Sequence, residues 1–372
     1  MTRSGCWFVL TLSVPIAACA DLWGFHDLAG VDGGVDGSSS SSSGVDSGSS
    51  SGSDSGSSSG MDSGSDSGTV VPPSCAPGGA GMTNCGPTQE SCCTSLAVPG
   101  GTFYRSYDGV SSGWTSMAYP ATVSSFRLDK YDITVGRFRQ FVAAWDGGWT
   151  PAAGAGKHTH LNGGQGLADS STPGTYEAGW KTVYNSQLAT TASGWNTTLA
   201  CGANAWTPSA GANENHPLNC IDWYEAYAFC IWDGGFLASE TEWNYAAAGG
   251  SEQRVYPWSA PATSTTIDCT YATYCNGTTL NDVGSESPKG DGKWGHADFV
   301  GNVWQETMDW YAGYVTPCVD CAFLTATSPM GSYRGCGTPG PAAEMVVSFR
   351  GNANNPPTNR YFNQGARCGR AP

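Results

Sequence analysis

The spacing of apolar side chains predicts three amphipathic helices in this 372-residue chain. The first covers residues 134–145 and begins after Thr134, a residue type that caps helix N-termini well. Its apolar positions recur at intervals of three and four, at Val135, Phe138, Phe141, Val142 and Trp145.

Capping boxes predict where the second and third helices begin. In each box a capping residue is followed three positions later by a glutamate: Asp222 by Glu225, and Ser239 by Glu242. We therefore interpret the acidic residues near the third helix start, including Glu240, as first-turn helix residues rather than an acid/base pair. Each helix is expected to end at a glycine pair, at 234–235 and 249–250.

Short strands are predicted for residues 102–105, 126–133 and 365–370. The remaining segments are rich in glycine, proline, asparagine and serine and are expected to form loops. No repeat with a period of about 20–50 residues is visible, which argues against solenoids and propellers. The pattern predicts one loop-rich α+β domain.

The N-terminal quarter of the chain has a different composition. Residues 1–19 combine a basic residue, an apolar run and small residues before Cys19, which predicts a lipoprotein signal peptide and lipid attachment at Cys19. Ordinary signal cleavage after Ala18 or Ala20 is the alternative. Residues 20–73, dominated by serine, glycine and aspartate, are expected to form a disordered tether. A cysteine-containing lead-in, 74–93, then precedes a folded domain at 94–372.

This organisation predicts an exported protein anchored by lipid in the cell envelope, at the outer surface or in the periplasm. The formal net charge is −15, and much of it comes from the aspartates of the tether. Because phosphate backbones would be repelled, nucleic acid is excluded as a partner. The expected contact with a membrane is through the lipid anchor.

Fifteen cysteines in an exported chain indicate disulfides. Without Cys6 in the signal peptide and Cys19, thirteen remain, so at least one cannot join an intrachain disulfide. Cys318 and Cys321 form a single Cys-x-x-Cys pair, and no second pair or Cys/His spacing suits a structural zinc site. We expect a small disulfide loop there rather than a redox pair.

Six sequence blocks between residues 94 and 370 occur in the order found in one known family. They are Val98-Pro-Gly-Gly-Thr-Phe with the segment 126–142, His216-Pro-Leu-Asn-Cys through Glu240-Thr-Glu-Trp-Asn, Tyr256-Pro-Trp-Ser, Val283-Gly-Ser, Gly301-Asn-Val-Trp with Asp309-Trp-Tyr, and Gly365-Ala-Arg-Cys. In these blocks the chain resembles the formylglycine-generating enzyme, or sulfatase-modifying factor, family. The resemblance implies an α+β fold related to C-type lectin domains and a disulfide between Cys230 and Cys368.

The resemblance also implies a calcium site in the turn 298–305. The donors that match the family are the side chain of Asp298, the carbonyl groups of Gly301 and Val303, and the side chain of Gln305. Hard oxygen donors of this kind suit calcium. Gln305 stands where the family has glutamate, so we expect weaker binding. A turn without metal, in which Asp298 caps backbone amides, is the alternative.

Active members of the family bind copper(I) through two cysteines five residues apart and oxidise a substrate cysteine with oxygen. Two thiolates suit copper(I), so the chemistry requires both. Here no cysteine lies between Gly337 and Arg367, and the matching turn contains Cys336 alone. We expect no copper centre. The catalytic residues are unknown, with Cys336 as the one candidate; it either stays a thiol or joins Cys318 or Cys321.

The function favoured by these observations is a binding or accessory scaffold for a peptide, a protein or a glycan. By analogy with the peptide groove of the family, the site would be lined by Trp304, Gly337, Asn359 and Arg360.

Two other functions remain open. One is a diverged metal-dependent oxidoreductase acting on a protein cysteine, with Cys336 and either His158 or His160 as ligands, although both loop histidines are expected to be solvated. The other is a purely structural envelope protein, which would have no open groove beside Trp304.

Overall fold

The computed structural model describes residues 71–201, 205–326, 331–352 and 356–372. The predicted signal peptide, Cys19 and all but the end of the predicted tether lie outside these ranges. Within them, no helix combines the length and the apolar character needed to cross a membrane.

The three predicted helices are present with the predicted caps. The Thr134 side chain accepts from the backbone N–H of Arg137, and both capping boxes form at the second and third helices. A further short helix, around the buried Trp195, was not predicted. The α-helices are α1 Val135–Asp146, α2 Ala192–Thr198, α3 Trp223–Trp232 and α4 Glu240–Ala247, and the 3-10 helices are Pro73–Cys75, Asn162–Gly164, Thr182–Gln187, Gly250–Glu252 and Ala342–Glu344.

The strands are short, and most connections between them are loops. In chain order they are β1 Asn84–Cys85, β2 Glu90–Ser91, β3 Ser95–Val98, β4 Gly101–Tyr104, β5 Pro120–Val123, β6 Phe126–Asp129, β7 Ala168–Asp169, β8 Phe236–Leu237, β9 Trp304–Trp310, β10 Cys318–Val319, β11 Cys321–Ala322, β12 Gly331–Arg334, β13 Gly351–Asn352, β14 Gln364–Gly365 and β15 Cys368–Arg370.

Two four-stranded sheets organise the domain. One has the order β3-β6-β15-β8, in which the C-terminal strand β15 pairs antiparallel with both β6 and β8. The other has the order β13-β12-β9-β14, with β9 antiparallel to β12 and parallel to β14. A three-stranded sheet, β10-β5-β4, and two two-stranded sheets complete the set in the described residues. The prediction of a loop-rich α+β domain is confirmed.

Two of the predicted strands differ in length from the observed ones. The strand predicted for 126–133 ends at Asp129, because the chain then turns and buries Asp132 against Arg367, 3.0 Å apart. The strand predicted for 365–370 is interrupted between β14 and β15, where the Arg367 side chain enters the core. At both points the regular strand is interrupted where a residue of the buried Asp132–Arg367 ion pair turns into the core.

Aromatic packing fills the core beside α1 and α3. Phe138 of α1 stacks on Phe229 of α3 with ring centroids 5.6 Å apart, and Trp195 meets Phe138 edge to face at 5.5 Å. A second core surrounds Trp243 and Phe299 and includes Cys336. Aromatic pairs of this geometry stabilise a core beyond the area they bury.

Six disulfides cross-link the described residues. They include the bond between Cys230 at the end of α3 and Cys368 in β15, and the small Cys318–Cys321 loop; the other pairs are Cys75–Cys93, Cys85–Cys92, Cys201–Cys220 and Cys269–Cys275. Such a density of disulfides is typical of proteins that work in an oxidising compartment outside the cytoplasm.

Candidate functional site

Cys336 lies in the turn that follows β12 and is fully buried. Its backbone adopts a positive φ of 28°, and its Sγ is 3.6 Å from Oε2 of Glu344. Burial raises the pKa of Glu344, although the hydrogen bond from Cys336 opposes that shift. Twelve of the thirteen cysteines in the described ranges are in disulfides, so Cys336 supplies the sole thiol of this part of the chain.

Trp304, the first residue of the predicted groove, belongs to a strip of half-buried aromatic side chains. Its ring centroid lies 6.0 Å from that of Phe349, which in turn lies 5.9 Å from that of Trp114. The rings meet at 48° and 66°, so they do not form one flat face. We call Trp114, Phe349 and Trp304 the aromatic strip.

Gly337, the second groove residue, permits the close approach of two chain segments. A Cβ atom at this position would lie 2.7 Å from both the backbone N of Trp304 and the backbone O of Asn363. Because both contacts are to backbone, a side chain here would push the turn away from β9. The glycine therefore fixes the Cys336 turn beside the aromatic strip.

Arg360, the last predicted groove residue, points into the protein. Its guanidinium bonds to Glu225 and to Asp222, at 2.8 Å for Asp222, over the N-terminus of α3. Burial raises the pKa of both carboxyl groups, and the arginine opposes the shift. Asn359 donates to the hydroxyl of Tyr361 at 3.4 Å. Arg360 thus anchors its loop to α3 rather than facing a ligand.

The 298–305 turn does not present the predicted calcium donors as expected. Oε1 of Gln305 accepts from Trp243 Nε1 at 2.6 Å and from Arg367 Nε at 2.7 Å, so its oxygen faces away from the turn. Its Nε2 donates to the carbonyl of Asp298 at 2.8 Å. Oδ2 of Asp298 accepts from the backbone N–H of Gly284 at 2.6 Å, which is the amide-capping arrangement expected without metal. The side chain of Gln305, one of the four predicted donors, therefore does not fit calcium in this arrangement.

The expectation that His158 is solvated is wrong. The side chain is fully buried, and its ring nitrogens lie 3.0 Å from Glu177 Oε2 and 3.1 Å from Glu242 Oε2. His160, also expected in solvent, is partly buried and stacks on Phe236 with centroids 5.5 Å apart. With both nitrogens of His158 occupied by carboxylates, neither is left for a metal shared with Cys336.

No group of three or more histidine, cysteine, aspartate or glutamate side chains in the described ranges could hold a metal ion. The surroundings of His158 therefore remove this histidine as a ligand of a rebuilt metal site at Cys336.

Glu306 is a buried acidic residue that sequence reasoning missed. It accepts from Nε2 of Gln364, and burial and nearby Asp222 raise its pKa well above the usual range. Its neighbour Gln305 is fully buried too. Two adjacent buried polar residues give no recognisable pattern in sequence.

Residues 82–372 match the family described as the sulfatase-modifying factor enzyme 1-like domain. This chain belongs to that family. It is 28% identical over 241 residues to the formylglycine-generating enzyme of Thermomonospora curvata, a match that covers 60% of this chain and 74% of that protein. It is 32% identical over 113 residues to the inactive C-alpha-formylglycine-generating enzyme 2 of Bos taurus, covering 28% of this chain and 37% of the bovine protein.

The sulfatase-modifying factor fold is also found in a solved structure. PvdO from Pseudomonas aeruginosa superposes with a TM-score of 0.50 at 18% sequence identity, covering 75% of this chain and 94% of PvdO. Identity at this level shows a shared fold and nothing more. The family and the fold predicted from the sequence are confirmed.

Proposed function

We propose that this chain is an exported, lipid-anchored member of the sulfatase-modifying factor family that binds an extended peptide and does not oxidise cysteine. The observation that carries the proposal is the state of its cysteines: Cys336 is the one thiol of the described residues, buried in a turn. A copper(I) centre made of two thiolates cannot form from a single sulfur. One relative with the same domain is itself named as inactive.

The aromatic strip supports a binding role. Tryptophan and other aromatic side chains contribute much of the energy at protein interfaces because they bury large surfaces at small entropic cost. Phe349 and Trp114 come from separate loops, and both stay partly exposed beside Trp304. Because the rings are tilted against one another, they suit the side chains of an extended peptide better than the flat face of a sugar ring.

Export and anchoring are supported by the pattern of residues 1–19 and by the six disulfides. In this proposal Cys19 carries the lipid, and the residues that follow it connect the anchor to the domain. The binding partner is then a peptide segment of another envelope or extracellular protein.

Selection from a random peptide display library against the purified full chain tests the binding role. We expect enriched peptides whose affinity falls at least about tenfold in Phe349→Ser and in Trp114→Ser. Tyr176→Ser, which alters an exposed aromatic residue outside the aromatic strip, is the matched control and should bind normally. Failure to enrich any peptide, or equal binding by all three variants, would contradict the proposal.

A further inference from the structure

We infer that the side-chain amide of Gln305 takes the place of a cation in the 298–305 turn, so that this turn needs no calcium. The inference goes beyond the proposed peptide binding and does not depend on it. It concerns which contacts hold the first residues of β9, including Trp304 of the aromatic strip, in position.

The orientation of the Gln305 amide is fixed by the chemistry of its neighbours. The indole Nε1 of Trp243 and the Nε of Arg367 lie 2.6 Å and 2.7 Å from one end of the amide. Both groups can only donate hydrogen bonds, so the end that faces them must be the oxygen. The opposite end is therefore the NH₂ group.

That NH₂ group points at two backbone oxygens of the turn. Nε2 lies 2.8 Å from the carbonyl oxygen of Asp298 and 3.4 Å from that of Phe299. Arg367 also donates hydrogen bonds to backbone oxygens here: its Nη2 lies 2.9 Å from the carbonyl oxygen of Asp298 and 2.8 Å from that of Ala297. Converging carbonyl oxygens repel one another unless a donor or a cation lies between them. Here N–H groups satisfy them.

Calcium would have to displace these contacts. It takes about six to eight oxygen ligands, each with a lone pair directed at the ion. The Gln305 oxygen already accepts two hydrogen bonds, and the Asp298 carbonyl accepts two more. The guanidinium of Arg367 is a fixed positive charge against the same carbonyls and opposes a second cation. The Gln305 side chain and the carbonyl groups of Asp298 and Phe299 are thus satisfied without metal.

A glutamate at position 305 would reverse this arrangement. Its second carboxylate oxygen would replace the NH₂ group and face the carbonyl oxygens of Asp298 and Phe299. None of the contacts of Gln305 could donate a hydrogen bond to this second oxygen, and the side chain at position 305 is fully buried. A bound cation would then relieve the repulsion, so Gln305→Glu should convert a metal-independent turn into a calcium-dependent one.

Thermal unfolding of the full chain, followed by circular dichroism in excess EDTA and in excess calcium chloride, tests the inference. We expect the same Tm for the wild type in both solutions. Gln305→Glu should lose about 5–10 °C in EDTA, because one buried carboxylate oxygen would face two carbonyl oxygens without a hydrogen-bond donor, and should recover at least half of that loss in calcium. If Gln305→Glu has the same Tm in EDTA and in calcium, whatever its Tm relative to the wild type, the inference is overturned.

Asp298→Ala, which removes the side-chain oxygen donors at this position, shows where any calcium response of the wild type originates. A wild-type Tm that rises with calcium, and no longer rises in Asp298→Ala, would place the ion in this turn and overturn the inference. A response that survives in Asp298→Ala places the ion elsewhere and supports it. These two proteins also decide the question if Gln305→Glu does not fold.

Discussion

Nε2 of His158 lies 3.1 Å from Oε2 of Glu242, and both side chains are buried. The same glutamate closes the capping box of α4, and the other ring nitrogen of His158 contacts Glu177. Burial alone lowers the pKa of His158, but the two carboxylates outweigh it and raise the pKa to about 10. A buried imidazolium therefore joins the loop around residue 158 to α4.

Removal of this imidazolium should destabilise the domain strongly. His158→Leu leaves two buried carboxylates without their cation, which typically costs about 3–5 kcal/mol. The matched control is His216→Leu, because His216 pairs with the exposed Asp282, and pairs of that kind contribute about 0–1 kcal/mol. Urea unfolding at neutral pH measures both. A loss of unfolding free energy below about 1 kcal/mol in His158→Leu would be inconsistent with a charged histidine that pairs with two buried carboxylates.

The wild type and His158→Leu should differ in how their stability responds to pH. The folded-state pKa of His158 is raised above the unfolded value of 6.5, so its contribution is fully present below that value and is lost as pH rises through about 10. The contribution of Glu242, whose pKa is lowered mainly by His158 against the effect of burial, is lost as pH falls below the unfolded value of 4.5. The difference in unfolding free energy between wild type and His158→Leu should therefore decrease as pH rises towards 10. A gap that is constant up to pH 10.5, about half a unit above the folded pKa, would argue against the imidazolium.

The Cys230–Cys368 disulfide should contribute more than the small-loop disulfides. The two cysteines are 138 residues apart, for which chain entropy gives about 5 kcal/mol, whereas the 6-residue separation of Cys269 and Cys275 gives about 2 kcal/mol. We expect Cys230→Ala/Cys368→Ala to lose more unfolding free energy than Cys269→Ala/Cys275→Ala in urea titrations. Equal losses would show that loop length does not govern the effect.

Sequence predicted the helices well because their signals are local. Each capping box needs only two residues three positions apart, such as Asp222 with Glu225, and the structure contains both boxes. Strand β9 was missed because it lacks alternation: five consecutive residues, 305–309, are buried, and four of them are polar. Their partners, including Arg367 and Gln364, lie far away in the chain. Long-range pairing of this kind leaves no periodic pattern.

The candidate site could be predicted only in part for the same reason. The absence of a cysteine between Gly337 and Arg367 is visible in the sequence, and so is the position of Trp304. The inward direction of Arg360 depends on carboxylates about 135 residues away, and the burial of His158 depends on Glu242, 84 residues away. Side-chain direction in loops follows from tertiary contacts that no short motif records.

Copper(I) binding by the purified, non-reduced full chain decides most directly whether the copper centre of the family is absent. The titration would be made in competition with a chromophoric copper(I) chelator, on the wild type and on Cys336→Ser in parallel. We predict no tight stoichiometric binding and identical curves for the two proteins, because one buried sulfur cannot replace a thiolate pair. Binding of one copper ion per chain that is lost in Cys336→Ser would contradict this prediction and restore a metal-dependent oxidase.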